Sequence, residues 1–518
     1  MTLHLRNTLS RVVEPIEAGD GERLRMYACG PTVYRYAHVG NLRTFLLADL
    51  VRRVVLYHGV PVLHVQNITD VGHLRDERFD RGEDRMLVAA GLEHKTAAEI
   101  ADAYEAAFHA DAALLNLLPA HVFPRATEHI PEMIDLAERL VDAGHAYASV
   151  DGNVYYSVAS FAAYGALSGN TLDALRAGHR GEVEADKRDA ADFALWKAAR
   201  EGRMLNWPTP RWGDGFPGWH LECSAMALRH LGPRFDVHTG GIDNVFPHHE
   251  DEIAQSAPLV GGPPARIWAH GEFLNVSGRK MAKSAGNIER IADVAARGID
   301  PLAFRYLCLT SRYRHKLEYT EASLAAAAAG LSSLRAGLAA LGPASMDGPW
   351  APPIPLVAGE AAARPIGTAE GIAGNGDGSS GELADRAHAP STPLSPGGRE
   401  LHDQFVAAVD DDLDLPSALA CVRQILRADL PAHERRWLIL DADFVLGLDL
   451  DREPVAGLAA TTEPPGADVP TDIADLVARR TAARSAGDYA AADAIRDEIA
   501  ALGFDVIDGP TGPSVSRR

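Results

Sequence analysis

Three sets of residues in this 518-residue chain have types and spacings that chemistry could use. His38-Val39-Gly40-Asn41 stands where a helical pattern begins. A helix N-terminus turns backbone N–H groups toward an anion. Gly40 would let a nucleotide approach the backbone closely, and His38 and Asn41 can donate hydrogen bonds to phosphate. The second set is Lys280-Met281-Ala282-Lys283-Ser284, after Gly278. On a loop, Lys280 and Lys283 can follow charge as it develops on a phosphate under attack. Neither stretch is specific alone, because a lone His before a helix is most often a cap and a K-x-x-K-S run a solvated loop. The third set is Cys29 in Tyr27-Ala28-Cys29-Gly30-Pro31-Thr32, Cys223 in Gly218-Trp219-His220-Leu221-Glu222-Cys223, and His248 with Glu252 in Pro247-His248-His249-Glu250-Asp251-Glu252. His248 and Glu252 share a face if helical. Two thiols, an imidazole and a carboxylate suit zinc. On residue types alone the plainer alternative leads: two buried cysteines acting as small hydrophobes and a surface His–Glu pair, since the donors are scattered rather than paired in C-x-x-C.

The elements that must position these residues read as α/β. Arg25 to Cys29 is strand-like, Asn41 to Tyr57 has Leu42, Phe45, Leu46, Leu50 and Val54 on one helical face, and Val62 to Val65 is strand-like again. That βαβ spacing predicts a parallel sheet. A helix is expected from Thr96 to Leu118 and a strand near Asp151 to Tyr156. Gly-rich polar sequence follows to Asp214, so about 116–215 reads as an insertion in a domain spanning 1–300. Strands return at Phe235 to His238 and Ile267 to Leu274. Helical pattern fills Leu302 to Leu341 and Glu400 to Leu448, giving a bundle over 301–342 and 399–455. Residues 343–398 are rich in Pro, Gly and Ala and read as a disordered linker. A small unit over 470–518 closes the chain, its Ala-rich helical pattern ending at Gly503.

The formal net charge of −21 counts mildly against a nucleic-acid partner, although binding depends on where the cations sit. Four cysteines cannot make a dense disulfide framework. The start lacks an apolar signal region, and no run of 18 apolar residues offers a membrane span. A reduced, cytoplasmic, soluble enzyme without a membrane partner is expected.

Together the first two sets resemble the HIGH and KMSKS signatures of class I aminoacyl-tRNA synthetases. The segments around Cys29, His38, Cys223, His238–Asp243, His248–Glu252 and Lys280–Ser284 resemble cysteinyl-tRNA synthetase in order and spacing, over essentially the whole chain apart from the linker. The resemblance implies a Rossmann-like parallel-sheet catalytic domain with an insertion, then an α-helical bundle and a small C-terminal domain that binds the anticodon. It implies a ligase that forms cysteinyl-adenylate from L-cysteine and ATP and passes the cysteinyl group to tRNA-Cys for protein biosynthesis. One Zn2+ per chain would sit on Cys29, Cys223, His248 and Glu252 and accept the substrate thiol, and Mg2+ would accompany ATP. Catalytic roles fall to His38, Asn41, Lys280 and Lys283. ATP contacts fall to His38, Gly40, Asn41, Asp243 and Lys283, cysteine-pocket contacts to Thr69, Trp219 and His220, and anticodon contacts to Arg484, Tyr489, Asp493 and Asp508. Zinc favours a soft thiolate over a hydroxyl, so one metal can separate cysteine from serine where a hydrophobic pocket gains only roughly 1–3 kcal/mol.

The pattern is departed from in places. Asn41 replaces the last His of HIGH, Ala282 the first Ser of KMSKS, and Tyr489 a frequent Trp. Val71-Gly72-His73-Leu74 lacks the Lys on which a pyridoxal phosphate-dependent persulfide activity would be built. A monomer is expected. The rivals are a ligase passing cysteine to a sugar amine, disfavoured by the helical and C-terminal regions, and a non-catalytic paralogue, disfavoured by both lysines and four metal-type residues.

Overall fold

The computed structural model describes residues 3–71, 74–76, 81–84, 95–173, 186–199, 203, 205–276, 279–280, 289–343 and 393–452, with parts of 476–517. β1 (His4–Arg6) and β2 (Val13–Pro15) pair antiparallel. β3 (Leu24–Ala28) is followed by α1 (Val39–Tyr57) and β4 (Val62–Gln66). β3 and β4 run parallel with Met26 opposite His64. A parallel pair needs a crossover of helix length, and the stripe from Leu42 to Val54 makes α1 that crossover. β5 (Leu74–Asp76) and β6 (Arg81–Asp84) form a short ribbon. α2 (Ala97–Leu114) starts on a capping box in which Thr96 and Glu99 bond each other's backbone N–H. It stops short of the expected Leu118, because Asn116 turns left-handed at φ 52° and its carbonyl accepts from Arg53 and Arg305.

The insertion carries more strand than its sequence suggests. After α3 (Ile130–Asp142) come β7 (Ala146–Ala148), β8 (Val154–Tyr156), β9 (Phe193–Ala198), β10 (Trp207–Thr209) and β11 (Gly213–Pro217). They form an antiparallel sheet in the order β10-β11-β9-β8-β7. Val154, Tyr156, Leu195 and Trp196 pack with Met133, Leu136 and Leu140 of α3 and with Leu221 and Met226 of α4 (Trp219–Leu231).

β12 (Phe235–Gly241), α5 (Glu250–Val260) and β13 (Ala265–Gly271) complete the central parallel sheet, ordered β13-β12-β3-β4. Every residue of β12 is buried, as expected of a parallel strand covered on both faces. The strand anticipated from Ile267 to Leu274 is two strands. β13 ends at Gly271, and β14 (Leu274–Val276) pairs instead with β15 (Arg279–Lys280) and β16 (Leu317–Tyr319). After α6 (Ile291–Ala296), β16 also breaks the helix expected from Leu302 to Leu341 into α7 (Leu302–Leu309) and α8 (Glu321–Ala339). By length and mean hydropathy of 1.2, α8 could cross a membrane. Its Leu324, Leu331, Leu334 and Leu338 instead pack into the main core, and its Arg335 pairs with Asp300.

α9 (Pro396–Asp410) begins inside the span read as linker, with Ser395 Oγ accepting from Gly398 N and proline in the first turn, where its missing N–H costs nothing. α10 (Leu415–Arg427) and α11 (Ala432–Leu446) follow, and these helices share the core of α1 and α7. Residues 1–452 form one compact unit and 453–518 a second. The second has helical positions between 476 and 499, then a hairpin of β17 (Phe504–Gly509) and β18 (Gly512–Arg517) that the sequence reading does not anticipate.

Candidate active site

The chemistry-bearing residues gather at the carboxyl edge of the parallel sheet, where open α/β sheets bind ligands. Cys29 follows the last residue of β3, and its N–H donates to Thr239 O of β12 at 3.3 Å. Cys223 lies in the second turn of α4. His248 and His249 lie in the turn Val245–His249 that enters α5, and Glu252 in the first turn of α5. One donor atom from each of Cys29, Cys223, His248 and Glu252 lies within 4.8 Å of all the others. Around one tetrahedral zinc, bond lengths of about 2.0–2.3 Å place donors roughly 3.3–3.8 Å apart, so this set fits the ion with small adjustment. The expected i, i+4 pair is realised, His248 Nε2 lying 3.0 Å from Glu252 Oε1. Cys223, His248 and Glu252 are each 2% exposed, which rules out the surface-pair alternative.

A buried histidine array surrounds the set. His238 Nε2 is 2.8 Å from Glu252 Oε2, and the His238 ring stacks on Trp268. His249 Nε2 is 3.1 Å from Cys29 Sγ, and its Nδ1 is 2.8 Å from His270 Nε2. Cys29, His238, His249 and Glu252 form a second, overlapping donor set. His238, His249 and His270 are absent from the sequence-derived ligand list, and no periodicity or spacing singles them out.

The electrostatics favour the anion at Cys223 and Glu252 and the neutral thiol at Cys29. A hydrogen bond with Cys29 and the charge of His248 bring the Cys223 thiol down to about 6, against burial and Glu252. Burial, then the hydrogen bond with Cys223, pushes Cys29 well up. Burial works against the Glu252 carboxylate, but His238 and His248 hold it down to about 2. Burial first, with neighbouring imidazoles, keeps His249 low, and burial takes His270 down to about 3. Opposite charges and hydrogen bonds favour the charged form and burial the neutral one, so Glu252 is an anion and His249 and His270 are neutral.

His38 caps α1. Its Nδ1 accepts from Asn41 N at 3.3 Å, and Asn41 Oδ1 accepts from His38 N at 3.2 Å. An accepting Nδ1 leaves the proton on Nε2, a donor, and Asn41 keeps its NH2 as the donor end. The expectation of open N–H groups at this helix start is narrowed, since Val39 N already donates to Glu289 O and Asn41 N to His38. Gly40 also has a second duty, as a Cβ there would stand 2.9 Å from the His38 ring.

Thr69 is buried, accepts from Asn67 Nδ2 at 3.0 Å and is bridged to Thr32. His220 Nδ1 is 2.7 Å from His248 Nδ1, and the half-buried Trp219 ring lies 4.8 Å from that of His248, so both expected pocket residues touch a metal-type residue. Asp243 is exposed, in the short helix Ile242–Asn244 beside Gly241. Lys280 pairs with Asn275 through its backbone. Lys283, Arg484, Tyr489 and Asp493 lie outside the described residues, as does the side chain of Asp508 in β17.

Residues 15–329 match the family described as tRNA synthetases class I (C) catalytic domain, and 466–512 the cysteinyl-tRNA ligase anticodon binding domain. A cysteine–tRNA ligase of Thermosynechococcus vestitus is 38% identical across 99% of this chain and 98% of its own length. One of Salinibacter ruber is 39% identical across 100% and 98%. This chain belongs to the cysteine–tRNA ligase family. Solved structures place its fold more widely. Mycobacterium tuberculosis methionyl-tRNA synthetase bound by methionyl-adenylate superposes with a TM-score of 0.52 over 82% of this chain and 90% of that one, at 14% identity. At that identity the likeness is one of class I architecture. Within the cysteine–tRNA ligase family match fall the metal-type residues, the His38 cap and the lysine motif, all inside 15–329.

Proposed function

We propose that this enzyme joins L-cysteine to tRNA-Cys through cysteinyl-adenylate, with Cys29, Cys223, His248 and Glu252 holding one zinc in the amino-acid pocket. The observation that carries the reading is the closing of two thiols, an imidazole and a carboxylate within 4.8 Å at the carboxyl edge of the sheet. Zinc bound there would accept the substrate thiol as thiolate and leave serine's hydroxyl a poor ligand. The chain's own residues do the rest. His238 and His249 orient Glu252 and Cys29 by hydrogen bonds from outside the donor set. Trp219 and His220 fix the far side of His248. His38 Nε2 and the Asn41 NH2 donate to the phosphates of ATP, whose Mg2+ travels with it. Lys280 and Lys283 neutralise charge at the α-phosphate while the cysteine carboxylate attacks and pyrophosphate leaves. The terminal ribose hydroxyl of the tRNA then takes the cysteinyl group and releases AMP. Arg484, Tyr489, Asp493 and Asp508 hold the anticodon, Tyr489 by stacking on an unpaired base.

Charging of a tRNA-Cys transcript with labelled cysteine, ATP and Mg2+, alongside metal analysis, tests this. Label on the tRNA and about one zinc per chain are expected. Cysteine-dependent pyrophosphate exchange without charging would point to transfer onto a sugar amine, against which the anticodon-domain match at 466–512 counts. A metal-free preparation with full activity would refute the zinc assignment.

A further inference from the structure

The chain that resumes after the lysine motif is fastened to the start of α1. Val39 N, the first amide of that helix, donates to Glu289 O at 2.9 Å. The next residue, Arg290, lays its guanidinium over the Tyr36 ring, 3.5 Å from the centroid. Tyr36 stands two residues before His38 and packs edge-on against Tyr104 of α2 at 4.7 Å. The other side of Arg290 faces Asp111 of α2, which is 2% exposed, at 3.9 Å. Arg290 Nε and Asp111 Oδ2 are both buried with no hydrogen-bond partner among the described residues. The aromatic face and one ion pair therefore hold this guanidinium. The Arg290 N–H also caps α6 by donating to Asp293 Oδ2 at 3.1 Å.

These contacts hold Glu289 and Arg290 beside the His38–Asn41 cap. Lys283 is seven residues upstream of Arg290 in the sequence. We propose that Arg290, clamped by Tyr36 and Asp111, is a positioning residue for adenylate formation, registering the lysine motif against the ATP-facing end of α1. The proposal rests on the activity assigned above. Burial raises Asp111 to about 6 while Arg290 draws it down, which agrees with a carboxyl whose main charge partner is this guanidinium.

Cysteine-dependent pyrophosphate exchange by the full-length zinc-loaded enzyme tests it in Arg290→Ala, Arg290→Lys, Tyr36→Phe, Tyr36→Leu and the Arg290→Ala/Tyr36→Leu double variant. Tyr36 is 45% exposed, and a cation–π contact at such a site supports a loss of about fivefold. Arg290→Ala and Tyr36→Leu should each lower kcat by about that factor, with KM for cysteine within about twofold, because the cysteine pocket is not touched. Arg290→Lys should fall between, since an ammonium keeps the charge but not the planar stacking. Tyr36→Phe, which keeps the ring, should restore nearly all of kcat. The double variant should lose no more than the worse single one. Hydrogen exchange at the Val39 amide supplies a readout without turnover, and protection there should fall in Arg290→Ala and hold in Tyr36→Phe. Unchanged kcat and Val39 protection in Arg290→Ala, equal loss in Tyr36→Phe, or additive losses in the double variant would each overturn the clamp. A parent enzyme with no cysteine-dependent exchange would overturn the activity instead, and Val39 protection would still judge the clamp.

Discussion

Glu252 joins the donor set to its surroundings through one carboxylate. Oε1 faces His248 at 3.0 Å and Oε2 faces His238 at 2.8 Å. Cys29 has a matching outer partner in His249, and the His249 ring has room only because position 240 lacks a side chain. A Cβ there would stand 2.5 Å from His249 Cε1. Gly240→Ala should therefore displace His249, release Cys29 from its hydrogen bond and weaken zinc binding about 10–100-fold, the usual cost of losing an outer-shell partner. Competition with a chelator measures this, and an unchanged zinc affinity would sink the orienting role of His249. Cys223→Ser removes a donor outright. It should reduce cysteine activation by more than ~100-fold while the KM for ATP stays within twofold, and equal kinetics in the two proteins would refute the ligand role. The candidacy of the four donors was legible by residue type, although on residue types alone two buried hydrophobic cysteines and a surface His–Glu pair were the better reading and only the family resemblance favoured the set. Their convergence was not legible, because Cys29 and Glu252 are 223 residues apart and only the sheet brings them together. The outer histidines were illegible for the same reason.

α1 carries the cap at one end and the contacts to the helical region along its length. Asp49 and Arg53 of α1 meet Arg305 of α7 in a buried cluster, with Asp49 Oδ2 2.9 Å from Arg53 Nε and 2.7 Å from Arg305 Nη2. Both guanidiniums reach the end of α11, Arg53 donating to Phe444 O and Arg305 to Leu446 O. There Gly447 takes φ 61°, and a Cβ would lie 2.5 Å from Arg305 Nη2. Gly447→Ala combines a left-handed backbone that L-residues resist with a displaced buried cation. It should cost about 2–4 kcal/mol, read as a lowered denaturation midpoint, and a loss below about 1 kcal/mol would mean the cluster yields easily. Asp443 closes the same helix by accepting from Leu448 N and Leu450 N, and burial pushes it up to about 6. A carboxyl raised above its unfolded value of about 3.9 contributes fully below that pH and loses its contribution as pH rises through 6. The advantage of the parent over Asp443→Asn should therefore shrink between pH 4 and 7 in thermal melts, and a gap that widened would contradict the burial argument. Among the elements, α1 and the strands beside it were readable because an apolar stripe from Leu42 to Val54 along a 19-residue helix leaves little choice. β16 and the insertion strands were not, since runs of three to six residues acquire their meaning only from partners far away in sequence.

The net charge of −21 speaks against a polyanionic partner only if charge is pooled over the molecule. Phosphate contacts are local, and a screening length near 8 Å at physiological salt hides most of the remaining acids from any one of them. The chain splits into two compact units, 1–452 and 453–518, whose contributions can be tested apart. Residues 1–452 hold the parallel sheet, both large cores and every described metal-type donor, which predicts that amino-acid activation needs nothing beyond them. The anticodon-domain match lies wholly in the second unit, at 466–512. A chain ending at Arg452 should therefore retain cysteine-dependent pyrophosphate exchange within about threefold. It should lose charging of tRNA-Cys by at least ~30-fold, chiefly as a raised KM for the tRNA, because removing one or two base-stacking contacts costs roughly 1–3 kcal/mol each. Parallel exchange and charging assays on the two chain lengths decide it. Equal charging would remove the C-terminal unit from recognition, and loss of exchange would mean that activation depends on a unit holding none of the described donors.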